Sequence, residues 1–539
     1  MKFKFALSLL FAGALSMSAQ QNYKDGIEYF KADKFEEAKF ILNQTFNESG
    51  TNKAEANYYL GQIAINEGDL AQATQYFRNG ISANGDYANN YVGLGAVDLK
   101  KGDKKAAEEQ FKIAKNLDKK NPVLLVDIAR AYFNADPVKY QKEIESYLND
   151  ARKADKKNLS PAIFILEGDM KDDPGDAAGQ YEMATTFDKN NEYPEAYVKY
   201  AQVYFKINPR FSIDKLKELL VKQPNSALAQ RELAEKYYEN NQYTMAAQAY
   251  GDYIRNKNHL QRDEQRYVGL LNFAQEYQKS FDLAEKILKQ DPGNIYMQRM
   301  LFLNQQKLGN NAEAVKYAKQ FFANPNGEGN YIPSDYSYYG EVLFATGDTL
   351  NAIEAYEKAY QLQPENPERL KDLSQMYSDA KQYEKSLQLF EQYIENNPNV
   401  DVNDKLSLAR RYNNALTTET DAAKKQHYAD KALQYVNEVS EVAPNNFSVA
   451  NLKAAIMLNR NNLQVNQDII DAFLSATAIL DKDPENKVSH KSDYTRIYNA
   501  VGNYYNQQAD KENALKYWNM SLEIDPSQES LRNFLQSIQ

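Results

Sequence analysis

The chain has 539 residues, 43% of them hydrophobic, and sets 64 Lys and Arg against 74 Asp and Glu for a net charge of −10. That acidic balance argues against a general nucleic-acid binder and against docking on anionic lipid, since both need cationic patches. With no cysteine and only the well-separated His259, His427 and His490, a disulfide framework, a thiolate metal site, a nucleophilic Cys and a paired-histidine zinc centre are excluded.

The first 20 residues read as an export leader. Lys2 and Lys4 form its positive end, Phe5 to Leu15 its apolar stretch and Ser16 to Gln20 its small or polar exit. The apolar run is too short to anchor in a bilayer. Cleavage is expected after Ala19, with Ser18 as the competing site, so 1–19 is the predicted signal peptide. Losing Lys2 and Lys4 takes the net charge to −12. No Cys follows that could carry a lipid, and no later stretch is long and apolar enough to cross a membrane. The mature chain is expected in the periplasm, with secretion or outer-membrane association as further destinations.

From Tyr23 onward a unit of about 34 residues recurs. The first runs from Asn22 to Thr51. The second reads Tyr58-Tyr59-Leu60-Gly61, Gly68-Asp69, Ala73, Phe77 and Gly80. The third reads Tyr91, Leu94-Gly95, Gly102-Asp103, Ala107, Phe111 and Ala114, a step of 34 residues from Gly61 to Gly95. The fourth carries Ile128-Ala129 and Tyr132 before an enlarged turn, and the fifth is degenerate around Phe164, Gly168 and Tyr181. The sixth to ninth follow through Tyr200-Ala201, Leu233-Ala234, Asp291-Pro292 and Gly309. Turn formers then crowd Asn324 to Asp335, which predicts a linker or hinge over 326–336 between arrays at 20–325 and 337–527. Units ten and eleven are the most regular. The twelfth inserts polar residues from Thr417 to His427, the thirteenth is weak, and the fourteenth is strong through Val501-Gly502, Tyr505 and Trp518. Residues 528–539 read as an amphipathic capping helix.

Each slot has a physical reason. Small residues sit where paired helices cross closely, aromatics fill the space between, and Gly-Asp makes the turn. A proline such as Pro364 or Pro398 ends the second helix. Over nearly the whole mature chain these slots resemble the tetratricopeptide-repeat family. The resemblance implies an all-α solenoid, a right-handed superhelix of about 14 helical hairpins with a C-terminal cap. The low mean hydropathy of −0.73 fits such a thin, water-exposed array.

Chemistry-bearing motifs are missing. There is no Gly-Lys-Ser/Thr phosphate loop, no His-Glu-x-x-His and no Gly-x-Ser-x-Gly. Gly93-Leu94-Gly95 lies inside a predicted helix and reads as packing glycine rather than a nucleotide loop. Asp172-Asp173 and Asp481 to Glu485 lack the alternation of a calcium loop and read as caps and turns. Asp348-Thr349-Leu350 matches a bacterial O-glycosylation acceptor, but a helix N-cap by Asp348 explains it better. Neither catalysis, a cofactor nor a metal is expected.

What remains is a surface for partners. In the family the concave wall comes from first-helix residues that avoid the packing slots. That register puts Arg231, Glu235, Tyr238, Arg262, Gln265, Asn272, Arg299, Gln306, Lys371 and Gln375 on the inside. Its four cations suit an acidic or C-terminal carboxylate segment of a partner; the competing reading is pairing with the chain's own carboxylates. The carboxylate clamp of chaperone-binding relatives is not recognisable. Of the tandem tyrosines Tyr58-Tyr59, Tyr237-Tyr238, Tyr338-Tyr339 and Tyr504-Tyr505, one ring of each pair is expected at a groove or helix edge, because neighbours on a helix lie about 100° apart. The resemblance implies a non-catalytic adaptor for envelope proteins in outer-membrane assembly, secretion, export or transport. A glycan- or peptidoglycan-binding module using the tyrosines is the alternative, and a regulatory subunit of a membrane enzyme a third.

Overall fold

The computed structural model describes residues 23–155, 159–256, 258–325, 327 and 329–538, so the predicted leader lies outside the described residues. Helices and turns make up the described chain, with no strand among them. They pair into fourteen hairpins, from the helix 23–31 with Phe35–Thr45 to Lys491–Gln507 with Lys511–Ile524. The helix Glu529–Ile538 closes the array, and its Leu535 packs into the cluster of Ala514 and Trp518.

The repeat's slots explain the hairpins. A glycine in the first helix faces an aromatic ring sixteen residues later, so close that a Cβ at Gly61 would lie 2.4 Å from Phe77. The same approach recurs at Gly95 with Phe111 (2.4 Å), Gly340 with Tyr356 (2.6 Å) and Gly502 with Trp518 (2.5 Å). Gly93 of the next hairpin closes on Phe77 from the other side at 2.2 Å, which leaves that ring fully buried between two glycines. Between the helices the chain takes a left-handed residue and then a capping one: Gly68 at φ 82° before Asp69, whose carboxylate accepts from the Gln72 amide at 2.8 Å. Asp348 caps its helix likewise, accepting from the Asn351 amide at 3.4 Å.

In the twelfth hairpin the polar residues from Thr417 to His427 lengthen helices rather than forming a long loop. Its helices are Val402–Thr418 and Ala422–Val442, the second started by Asp421, which accepts from the Ala423 and Lys424 amides. No helix among the described residues is long and apolar enough to cross a membrane.

Two compact units divide the chain, one ending at Asn304 and one beginning at Gln305, within the helix Ile295–Lys307. Residues 326–336, the predicted linker, fall inside the second unit. There the Tyr331 hydroxyl donates to the Phe321 and Asn324 carbonyls at 3.0 and 3.2 Å, and its ring packs on Phe322 at 5.1 Å.

In the first unit the stack closes on itself. Tyr23, Ile27 and Tyr29 of the first hairpin share one buried cluster with Tyr197, Leu216, Leu228, Tyr250 and Leu260. Polar bonds rim this seam: Ser226 to Glu28 at 3.3 Å, Lys34 to Glu232 at 2.9 Å and Arg262 to Glu37 at 3.0 Å. Partners there stand as many as 225 residues apart in sequence.

Candidate interaction chamber

Closure of the first unit creates a chamber of about 460 Å³, walled mainly by the first helices of its first six hairpins. Part of the wall follows one register. In the second and fourth hairpins, counting from the small residue of the first helix, the positions three before, one after and four after face inward. In the second hairpin these are Tyr58, Gln62 and Ile65 around Gly61; in the fourth they are Val126, Arg130 and Phe133 around Ala129. Ile165 and Asp169 continue it around Gly168, whereas the sixth hairpin contributes Glu195, Lys199 and Val203 from another register. The spacing follows from the helix, which brings i−3, i+1 and i+4 onto one stripe.

Rings and charges share this wall. Phe30 and Tyr59 meet edge to face at 5.1 Å, and Tyr59 meets Tyr58 at 5.1 Å. Deeper in, Lys199, itself 5% exposed, pairs with Asp33 and, at 3.1 Å, with Asp169. Asp169 also holds Arg130 and accepts from the Tyr181 hydroxyl at 2.8 Å. Burial pushes the Asp169 carboxyl up, but Arg130 and Lys199 outweigh it and hold the group below the usual carboxylate range. Asp127 accepts from the Asn89 amide at 2.6 Å, and burial raises it to about 6 against the opposing pull of Arg130 and Lys31. Lys31 pairs with Glu195 at 3.5 Å. The lysines Lys100 and Lys171 also line the chamber; Lys100 donates to the Asn134 carbonyl, and neither forms an ion pair among the described residues. An arrangement of this kind offers stacking area, hydrogen bonds and fixed charge. No group of three or more metal-ligating side chains is set for an ion among the described residues.

The sequence-predicted groove residues divide between the two units. Arg231 bonds Asp263 at 2.8 Å and approaches Glu37 at 3.6 Å, while Arg262 bonds the same Glu37. Two of the four predicted cations therefore hold an acidic segment, and that segment is the chain's own first hairpin. Glu235 pairs with Arg266 at 3.0 Å, and the Arg266 guanidinium lies 4.2 Å from the Tyr238 ring centre. Asn272 donates to Asn304 at 2.8 Å, and Gln265 and Arg299 are half-buried. In the second unit Gln306 donates to Glu341, and Lys371 pairs with Asp404 at 2.8 Å. Gln375 donates to Asp379 at 2.8 Å and accepts from Arg411 at 3.0 Å.

Arg411 is 7% exposed, lies 3.9 Å over the Phe390 ring and donates to Ser374 at 2.8 Å, with no carboxylate at ion-pair distance among the described residues. Burial lowers it to about 10.

Comparison with known proteins agrees with this architecture. The Tetratricopeptide repeat model matches residues 54–87, and two further models of the same description match 299–367 and 343–407. No curated protein matches the chain. Among solved structures it is similar to the C-terminal part of a TPR repeat-containing protein from Cytophaga hutchinsonii, at 17% identity and a TM-score of 0.41, over 50% of this chain and 98% of that one. It is similar also to yeast Tom70, at 14% identity and a TM-score of 0.32, over 96% of this chain and 99% of that one. Three matched repeat segments, together with hairpins that lock a glycine against a ring in both units, make this chain a member of the tetratricopeptide-repeat family, an all-α solenoid of the kind that scaffolds protein–protein interaction.

Proposed function

We propose that the chain is a non-catalytic, exported adaptor of the bacterial envelope, which holds a segment of an envelope protein in the chamber of its first unit. The observation that carries the reading is the chamber wall itself, where the rings of Tyr58, Tyr59 and Phe30 alternate with the charges of Lys31, Asp127 and Arg130. Aromatic area with polar tips gives a partner contact at low entropic cost, and fixed charges set its register. Export rests on the leader pattern of residues 1–19.

A photo-crosslinking residue at Gln62, introduced into the full chain in intact cells, should trap one or a few envelope proteins, read by mass spectrometry. Recovery of glycan in place of protein would favour the tyrosine-based glycan module. An uncrosslinked chain, or turnover by the purified protein, would remove the adaptor reading. Fusing the first 25 residues to a reporter active only outside the cytoplasm tests export, and an inactive reporter would remove it.

A further inference from the structure

The seam that closes the first unit is not purely apolar. Between its apolar side chains it buries carboxylates: Asp25 at 3%, Glu195 at 4% and Glu232 at 3% exposure, with Glu28 alongside. One oxygen of Asp25 and one of Glu195 have no hydrogen-bond partner among the described residues, and an unsatisfied buried acceptor works against the docked form. The first hairpin also has a second, independent attachment. It touches the next hairpin through Lys24 and Glu55 at 2.9 Å and through Phe30 and Tyr59 at 5.1 Å, and residues 46–52 join the two. Release at the seam therefore leaves the hairpin tethered and stacked on one side. Four of its residues, Phe30, Lys31, Asp33 and Phe35, are chamber wall.

We infer that residues 23–45 form a releasable clasp, which docks when Asp25 and Glu28 carry protons and lets go, opening the chamber, when both are charged. The groups facing the pair decide this. Asp25 faces Glu28 on its own helix and the Asn258 side chain across the seam. Glu28 faces Glu195 and Ser226 across the seam and Lys31 on its own helix. Further along, Lys34 is engaged by Glu232, and Arg231 by Asp263 and Glu37, so neither cation is free to neutralise the cluster.

Burial, reinforced by Glu28, raises Asp25 to about 8. Burial, reinforced by Glu195, raises Glu28 to about 7. In the undocked hairpin both return to the ordinary range of about 4. The docked form thus binds more protons. Docking is strongest below about pH 4, weakens as pH rises, and loses the last of this support above pH ~8. Each carboxyl contributes about a tenfold change per pH unit inside that window.

The absence of cysteine in the chain allows a direct test. Ala96, 6% exposed and on the chamber wall, is replaced by Cys in the full chain, and its alkylation by a bulky polyethylene-glycol maleimide is timed. The same Cys in an Asp25→Asn, Glu28→Gln chain, which stays docked, cancels the thiol's own pH response. The ratio of the titrating chain's rate to the neutralised chain's should be at least tenfold higher at pH 8 than at pH 5.5. Equal rates at both pH values overturn the clasp. Nitroxides at Glu36→Cys and Gln261→Cys give a second measure. Their distance distribution should be single and narrow at pH 5.5 and gain a longer component at pH 8, and one unchanged distribution also overturns it. The purpose of the clasp rests on the chamber being the partner site, but neither measurement involves a partner. Failed capture at Gln62 removes the adaptor and leaves the clasp; an invariant distance does the reverse.

Discussion

The two units solve the same packing problem over different distances. In the second unit the polar contacts between hairpins link neighbours among the described residues: Lys371 to Asp404 spans 33 residues, Arg411 to Gln375 spans 36, and Arg496 to Asn451 spans 45. The first unit has contacts of that kind and adds a seam spanning 166 residues between Lys199 and Asp33 and 225 between Arg262 and Glu37. Loop-closure entropy rises only logarithmically, so closing ~200 residues costs about 1.6 kcal/mol more than closing ~34. Fully burying one large apolar side chain such as Ile27 returns about 1.5–3 kcal/mol. The seam buries several, so closure wins. A long-range contact in a repeat protein is thus limited less by chain entropy than by having an apolar face left over to bury.

That contrast predicts how far damage spreads. Tyr29→Ala and Trp518→Ala each empty a fully buried site and should each cost ~4 kcal/mol. Hydrogen exchange should separate them. The Tyr29 cavity should deprotect the first hairpin and residues near Tyr197 to Leu260 together, whereas the Trp518 cavity should loosen only the last hairpin and its cap. Spreading of equal extent in both would break the comparison.

Buried arginines sharpen it. Arg231→Met takes the paired cation from Asp263, which is 5% exposed and keeps the Tyr253 hydroxyl at 2.9 Å, and should cost ~3 kcal/mol by denaturant melting of the first unit. Arg411→Met removes a buried charge that has no carboxylate at ion-pair distance among the described residues and should change the second unit by less than ~1.5 kcal/mol, or stabilise it. Loss of the same size at both sites would show that the second unit depends on Arg411 more than its contacts indicate.

Overpacking comes next. Gly93→Ala drives a methyl into the Phe77 ring, which Gly61 already blocks from behind, and should cost ~2 kcal/mol in the first unit's melting curve. The smallest effect is one both units should share. Gln275 at φ 62° and Lys381 at φ 59° occupy the turn position filled elsewhere by glycine. Gln275→Gly and Lys381→Gly should each stabilise their own unit by ~0.5–1 kcal/mol, read from unfolding midpoints.

Local pattern carried most of the fold. Gly61 with Phe77 and Gly502 with Trp518 are legible because a small residue and a ring at fixed spacing have one use in a hairpin. The rule that selected Arg231, Glu235 and Tyr238 around Ala234 also selects Tyr58, Gln62 and Ile65 around Gly61, which line the chamber, but it misses Lys31, Asp127, Glu195 and Lys199 of the same wall. Both Tyr58 and Tyr59 line it, where one ring of the pair was expected, because Phe30 of the closing hairpin reaches Tyr59. The occupant facing Arg231 and Arg262 was not legible. Glu37 is distant in sequence, and no periodicity ties an acidic first hairpin to the seventh and eighth.

The seam also constrains how this gene can change length. Duplicating or losing one hairpin of a stack that touches only its neighbours shortens or extends it and leaves every remaining interface intact. The same event between Thr51 and Pro194 would move Glu195 and Glu232 out of phase with Lys31 and Lys34, separating the two halves of the closure at once. Descendants of this chain should therefore vary in hairpin number after Asn304 and keep a fixed number before it.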